Sequence, residues 1–259
     1  MKLLIICPIP VEFNTCREIL RLRDTTPLLG CRTGRSVLGD CEIISMESGP
    51  AKVRAASAAV AGCFHYSPDL VLDSGSCAGI QPGAIVGEII VGENCFEYDI
   101  SGSGFPQQKI PEMKLPSAFK VLDSAVKESL WREVVENGRT AGFTVRVGDQ
   151  ACGEYLIQSL SMREALFSLF HVSGSNWETA GVFVAALKSI IPPLSIRIVT
   201  DLGNENALQD FRKNVKRKSR DLYCLIHLLV ETGWFSRFME KWTQIDKAII
   251  RKLPSFVLP

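Results

Sequence analysis

The chain has 259 residues, of which 46% are hydrophobic, and a formal net charge of +1. That length and apolar fraction suit one large α/β domain or two small ones with a real core. Near-neutral charge excludes a global field favouring nucleic acid or membrane, and no apolar run approaches the ~18 residues that span a bilayer.

In chain order, Lys2 to Cys7 reads as a strand. The run is too short for a secretory h-region, and Ile6 stands where a lipoprotein signal needs a small residue. A helix follows over about 11–23, then two strands in LLGCRTGRS and CEIISMES. Alanine-rich VRAASAAVAGCFHY, 53–66, predicts a buried helix. DLVLDSG is the next strand, and EIIVGENCFEYDI supplies two more around Gly92. Residues 101–115, with little periodicity, read as a loop; Phe119, Leu122, Val126 and Leu130 mark a helix over about 117–137. FTVRVG is a strand, 155–167 and 178–190 are helices, LSIRIV is a strand and 207–232 a helix. This alternation predicts a mixed, mostly parallel three-layer α/β sandwich with helices on both faces. No linker divides it, so 1–232 forms one domain and 233–259 a helical extension, amphipathic through Phe238, Trp242, Ile245 and Ile249. Arg212 to Arg220 is basic and reads as a solvated helix face.

Nine cysteines and three scattered histidines contain no CxxC, so neither a disulfide framework nor a metal site is expected. Cys7, Cys63, Cys95 and Cys224 lie in apolar segments, where a reduced thiol behaves as a small hydrophobe. Such thiols imply a reducing, cytoplasmic compartment.

Three carboxylates sit where apolar runs end: Glu12 after KLLIICPIPV, Glu178 in SNWETAG, and Asp201 closing LSIRIVTD. The carboxyl ends of parallel strands are where open α/β folds bind ligands. Each acid alone also suits a helix N-cap or first turn. Between them, DSGSCAG follows a strand directly: Gly75 and Gly79 let backbone N–H groups approach a ligand, and Ser76 adds a hydroxyl. The loop has neither the triphosphate-loop pattern nor GxGxxG.

The ordered set SGPAKVRAA, DSGSCAG, EIIVGENCFEYD, VRVGD, SNWETAG and IRIVTD resembles the nucleoside phosphorylase/nucleosidase superfamily. Within it the likeness is greatest to the 5′-methylthioadenosine/S-adenosylhomocysteine nucleosidase branch, to which futalosine-type nucleosidases are similar. It runs from Met1 to about residue 215. The resemblance implies that Asp201 is a general acid protonating N7 of a purine, that Glu178 binds the ribose hydroxyls, and that Glu12, helped by Arg197, polarises the attacking water. It places Ser76 at the ribose and Thr200 at the base. Independently, cleaving an N-glycosidic bond builds oxocarbenium charge on the sugar and negative charge on the base, which a carboxylate and a protonated acid stabilise. The two acids must then differ, Asp201 raised by burial and Glu12 kept ionised beside Arg197. The resemblance further implies no cofactor and a homodimer in which a neighbouring subunit closes the pocket, with 102–111 as the contact.

Phosphorylases of this superfamily carry an arginine where Asp73 stands. Asp73 is expected to repel a phosphate near Ser76, by about 1–4 kcal/mol at ordinary effective dielectric, and PIPVEFN lacks a second phosphate arginine. Water is therefore the expected nucleophile. Other positions depart from the nucleosidase pattern. Ala151, followed by Cys152, stands where an aromatic stacks on adenine, leaving Tyr155 or Phe105 to replace it. Trp177 replaces the methionine under the ribose, Asn176 a glutamate, and Pro50 breaks a usual Gly-Ile-Gly-Lys turn. The expected activity is hydrolysis of a 5′-modified purine nucleoside, methylthioadenosine-like or futalosine-like, releasing free purine. The alternatives are a nucleoside phosphorylase and a non-catalytic nucleoside-binding protein on the same fold.

Overall fold

The computed structural model describes residues 1–99 and 114–244. Phe105, the 102–111 contact, nearly all of the 101–115 loop, and Ile245 and Ile249 lie outside those residues. Its centre is four parallel strands in the spatial order β4 (Cys41–Glu47), β1 (Lys2–Cys7), β5 (Leu70–Gly79) and β10 (Pro193–Asp201). All four are buried along nearly their whole length because helices cover both of their faces. Within β1 the side chains alternate as pleating requires: Leu3, Ile5 and Cys7 enter one apolar cluster, Leu4 and Ile6 another.

One edge ends in the antiparallel ribbon β2 (Arg23–Leu28) and β3 (Cys31–Leu38). On the other side, β6 (Ile89–Glu97) runs antiparallel to β10, and β8 (Val145–Cys152) parallel to β6. The three-residue β9 (Gly174–Asn176) joins β8 back to β5, so five strands close into a ring. The short β7 (Lys114–Pro116) adds to β6. Strand β6 is a single strand whose register shifts between Gly92 and Cys95. The two strands expected around Gly92 are thus one, bent by a bulge: both halves pair with β8, the first also with β10 and the second with β7.

Helices α2 (Lys52–Tyr66) and α5 (Thr179–Lys188) cover one face, where Ala58, Ala59 and Val182 pack on Leu4, Ile6 and Val71. A methyl at Gly181 would strike the Lys52 carbonyl, so a glycine there lets the start of α2 dock on α5. The other face carries α1 (Pro10–Ile19), α3 (Ser124–Thr140), α6 (Ala207–Glu231) and α7 (Trp234–Thr243). Trp234, Phe235 and Phe238 of α7 are buried in the same cluster as β1 and α6, and the Trp234 indole donates to the Leu130 carbonyl at 3.1 Å. The remaining helix, α4 (Leu160–Phe170), begins five residues later than the periodicity of 155–167 predicts. Residues 153–159 leave helical structure to form a wall beside the carboxyl ends of the sheet. Among the described residues no helix is long and apolar enough to cross a membrane.

Candidate active site

The ends of β1, β5, β9 and β10 surround a cavity of about 320 Å³ lined by Glu12, Ser76, Trp177, Glu178, Thr200 and Asp201, among others. Glu12 and Asp201, nearly 190 positions apart, therefore face one space. Glu12 lies in the first turn of α1, which starts shortly after β1. Its Oε1 accepts from the amide and the hydroxyl of Ser76, both at 2.7 Å, and its Oε2 from the Ile9 amide at 3.2 Å. Gly75 is not a lining residue. A methyl there would sit 3.0 and 3.1 Å from the two Glu12 oxygens and 3.1 Å from Pro8, so the glycine makes room for this approach.

Glu178 stands at the N-cap of α5. One oxygen accepts from the Ala51 amide at 3.0 Å and the other meets Nη1 of Arg197 at 3.1 Å. Ala51 adopts φ 82° and ψ 156°, a region almost reserved for glycine, and that backbone aims its N–H at Glu178. Asn176 supports the same corner, its side-chain oxygen accepting from the amides of Glu178 and Thr179 at 3.0 and 2.9 Å. Asp201 closes β10 just past a register shift; its Oδ1 accepts from the Gly203 amide at 3.1 Å, and Oδ2 lies 3.2 Å from the Thr200 hydroxyl.

Arg197 does not line the cavity. Fully buried beneath it, the guanidinium gives Nε and Nη2 to Asp73 at 2.8 and 2.6 Å and Nη1 to the Ser76 carbonyl at 2.8 Å. Asp73 is likewise fully buried and points away from the ligand space, so the expected repulsion of a phosphate by Asp73 does not operate: its charge is matched by Arg197. Nor does Arg197 keep Glu12 ionised. Burial pushes the Glu12 carboxyl up to about 7, against the opposing pull of Ser76 and Arg197. Burial also lifts Asp201 to about 6, opposed by the Gly203 amide and Thr200, and it raises Glu178 against the attraction of Arg197. Desolvation decides all three; for Glu12 and Glu178 the opposing cation, Arg197, is shared with Asp73.

Of the remaining expected residues, Pro50, Trp177 and Thr200 line the cavity, whereas Ala151 and Cys152 do not. Both are fully buried: Ala151 packs with Ile80, Ile157 and Leu166, and Cys152 with Cys95 and Phe183. The chain turns away after β8, and the cavity wall is built instead by Tyr155, Leu156 and Ile157. Tyr155 is thereby placed at the ligand space, and the Tyr98 hydroxyl anchors this wall by donating to the carbonyls of Gly153 and Tyr155 at 3.0 and 2.9 Å. Leu208 and Phe211 from α6 complete the lining. They were hidden in an amphipathic helix, where a face turned to a ligand and a face turned to core look alike.

With the fold and the acid-lined cavity goes a family: the chain belongs to the phosphorylase superfamily, whose family model matches residues 2–231. Among its relatives, a 5′-methylthioadenosine/S-adenosylhomocysteine nucleosidase of Listeria monocytogenes is 26% identical over 198 residues, covering 73% of this chain and 81% of that protein. A nucleosidase of the same name from Listeria innocua is 25% identical over 228 residues, 82% of this chain and 94% of its own. The fold matches the native futalosine hydrolase of Helicobacter pylori with a TM-score of 0.78 at 20% identity, over 90% of this chain and 98% of that one. It matches the Helicobacter pylori 5′-methylthioadenosine/S-adenosylhomocysteine nucleosidase equally well, TM-score 0.78 at 19% identity, over 90% and 98% of the two chains.

Proposed function

We propose that this protein is a nucleosidase that hydrolyses the N-glycosidic bond of a purine nucleoside carrying a 5′ modification and releases the free purine. One observation carries the reading: Glu12 and Asp201 line the same cavity, each buried, each with its pKa raised into the range where proton transfer at neutral pH is efficient. In this reading Asp201, protonated, gives its proton to N7 of the base, so that the base leaves neutral. Glu12, ionised, takes a proton from the water that attacks the anomeric carbon. Glu178 accepts from the ribose hydroxyls with the lone pairs that Ala51 and Arg197 leave open, and its charge, with that of Glu12, favours the oxocarbenium-like transition state. The names of the relatives support the same reaction.

Water rather than phosphate is the nucleophile in this reading. Among the described residues, the charged side chains that line the cavity are Glu12, Glu178 and Asp201, all acidic. Glu12 itself holds the amide and hydroxyl of Ser76 that an anion would need. The 5′ group presents an apolar portion to the mouth of the cavity. At the mouth, Tyr155, Trp177 and Leu208 are 58%, 37% and 46% exposed, a cluster of large apolar side chains that gains by covering. Trp177 is held there by its indole N–H, which donates to the Tyr155 carbonyl at 3.2 Å. The reaction belongs in the cytoplasm, and the active unit is a homodimer.

The test is incubation in phosphate-free buffer with methylthioadenosine, S-adenosylhomocysteine, futalosine and aminodeoxyfutalosine, following free base by chromatography. Release of purine from at least one is expected. Release that scales with added phosphate, or none from any, overturns the reading.

A further inference from the structure

Beneath the cavity lies a buried charge cluster that the hydrolytic scheme above does not use. Asp73, in the middle of β5, is fully buried and accepts four hydrogen bonds. Two come from Arg197, through Nε at 2.8 Å and Nη2 at 2.6 Å; the others come from the hydroxyls of Thr179 at 2.6 Å and Ser195 at 2.8 Å. Two parallel N–H bonds to one carboxylate fix a guanidinium in its plane and its direction. The third nitrogen, Nη1, is thereby left facing the Ser76 carbonyl and Glu178. Among the described residues Asp73 makes no hydrogen bond or ion pair with Glu12 or with any other residue that lines the cavity.

We propose that Asp73 is a positioning residue for the hydrolysis, holding Arg197 side-on and offsetting its charge so that Glu12 stays basic enough to take a proton from water. An arginine free of Asp73 would present a full positive charge beneath Glu12 and Glu178. In a fully buried site such a charge lowers a carboxyl pKa by about 1–3 units. Glu12 would then be ionised over a wide pH range but a weak base. With Asp73 in place three acids, Asp73, Glu178 and Glu12, share one cation, whose pull on Glu12 is too small to undo the burial that raises its carboxyl to about 7. The charged and titratable groups that face Glu12 are Arg197 from β10, Glu178 at the start of α5, Asp201 across the cavity and the Tyr223 phenol of α6, which turns its proton to Cys7 at 3.2 Å. Of these Arg197 alone is cationic, so the partner of Arg197 governs the balance.

The proposal rests on the hydrolytic reading for its consequence but not for its test. Glutamate side chains are labelled with ¹³C at Cδ, the Glu12 signal is assigned with Glu12→Gln, and its titration is followed in ligand-free protein. Asp73→Asn, which keeps the shape and removes the charge, and the smaller Asp73→Thr are both expected to lower the Glu12 midpoint by about one pH unit. Thr179→Val strips a hydrogen bond from Asp73 while leaving its charge, and is expected to move the midpoint by less than about 0.3 units. In turnover, the pH optimum of kcat/KM moves towards acid by about half the Glu12 shift, since it lies midway between the base and the acid. An unchanged Glu12 titration in a folded neutral variant overturns the proposal. So does an equal shift in Thr179→Val, or failure of both neutral variants to fold, which would make Asp73 purely structural. Absence of turnover in the wild type overturns the hydrolytic reading alone, because the titration needs no substrate.

Discussion

One oxygen of Glu12 receives both the amide and the hydroxyl proton of Ser76, at 2.7 Å each. The pairing joins the first turn of α1 to the middle of the DSGSCAG stretch of β5. It commits the Ser76 proton to orienting an acid, while the hydroxyl oxygen still lines the cavity. The second Glu12 oxygen, held only by the Ile9 amide at 3.2 Å, is the one with capacity for a water.

Asp201→Asn keeps the size of the side chain and removes its proton-donating capacity at the base. General acids contribute about 10²–10⁴-fold, so kcat is expected to drop by that factor. Nucleoside affinity, measured by calorimetry on the inactive variant, stays within about threefold of wild type. Full turnover in Asp201→Asn removes the acid role.

The pH dependence of kcat/KM follows from the two carboxyls. In the proposed hydrolysis the productive pair is ionised Glu12 with protonated Asp201, yet Glu12 holds its proton up to about 7 and Asp201 only to about 6. Activity falls below that window as Glu12 protonates and above it as Asp201 ionises. A narrow bell with its maximum between the two values is expected, with the productive form a minority of the enzyme throughout. A plateau extending past pH 8 would show that Asp201 is not the titrating acid.

Much of this was legible in the residues. Apolar runs at 2–7, 70–75 and 194–199 mark the central strands, and the acids and the serine placed at or after them do meet in one cavity. Two features were not. Tyr155, Leu156 and Ile157 look like the opening of an amphipathic helix, and only contact with the Tyr98 hydroxyl and the cavity holds them as a wall. Arg197 and Asp73 lie 124 positions apart, and nothing local says that they pair; read singly, one was a partner for Glu12 and the other a screen against phosphate. Charge pairing is a property of the fold, whereas strand ends leave a local signature.

Gly75→Ala tests the packing behind Glu12. The added methyl would meet both carboxyl oxygens at 3.0–3.1 Å, with Pro8 at 3.1 Å on the same side, so Glu12 must swing off Ser76. A displacement of this order costs about 10²-fold in kcat. KM changes much less, because the rest of the cavity is untouched. Steady-state kinetics with an unaltered kcat would show that Glu12 is not held where the chemistry needs it.

Ala51 carries a backbone that costs about 1–3 kcal/mol for a residue with a Cβ. Replacing it with glycine relieves that strain but adds about 0.4–1 kcal/mol of unfolded-chain entropy. Ala51→Gly is therefore expected to stabilise the protein by about 1 kcal/mol in urea unfolding. The N–H that reaches Glu178 is kept, so kcat is expected to stay within about twofold. A loss of stability would mean that the φ of 82° is not strained in this setting.

Glu12 should leave its mark on stability as well as on rate. Its carboxyl is raised from 4.5 to about 7 by burial. Below pH 4.5 the group is protonated in both folded and unfolded chains and costs nothing. As pH rises towards 7 the unfolded chain loses this proton while the folded one keeps it, so stability falls; above 7 the loss is constant. A shift of that size corresponds to about 3 kcal/mol. Glu12→Gln cannot titrate, and its oxygen can still accept from Ser76. The variant is expected to match wild type near pH 4.5 and to exceed it by about 1–3 kcal/mol at pH 8, in urea unfolding of ligand-free protein. It loses turnover while gaining stability, as a residue kept for chemistry at the expense of the fold should. Unfolding free energies of the two proteins that run parallel across this range would mean that Glu12 ionises as freely in the cavity as in water.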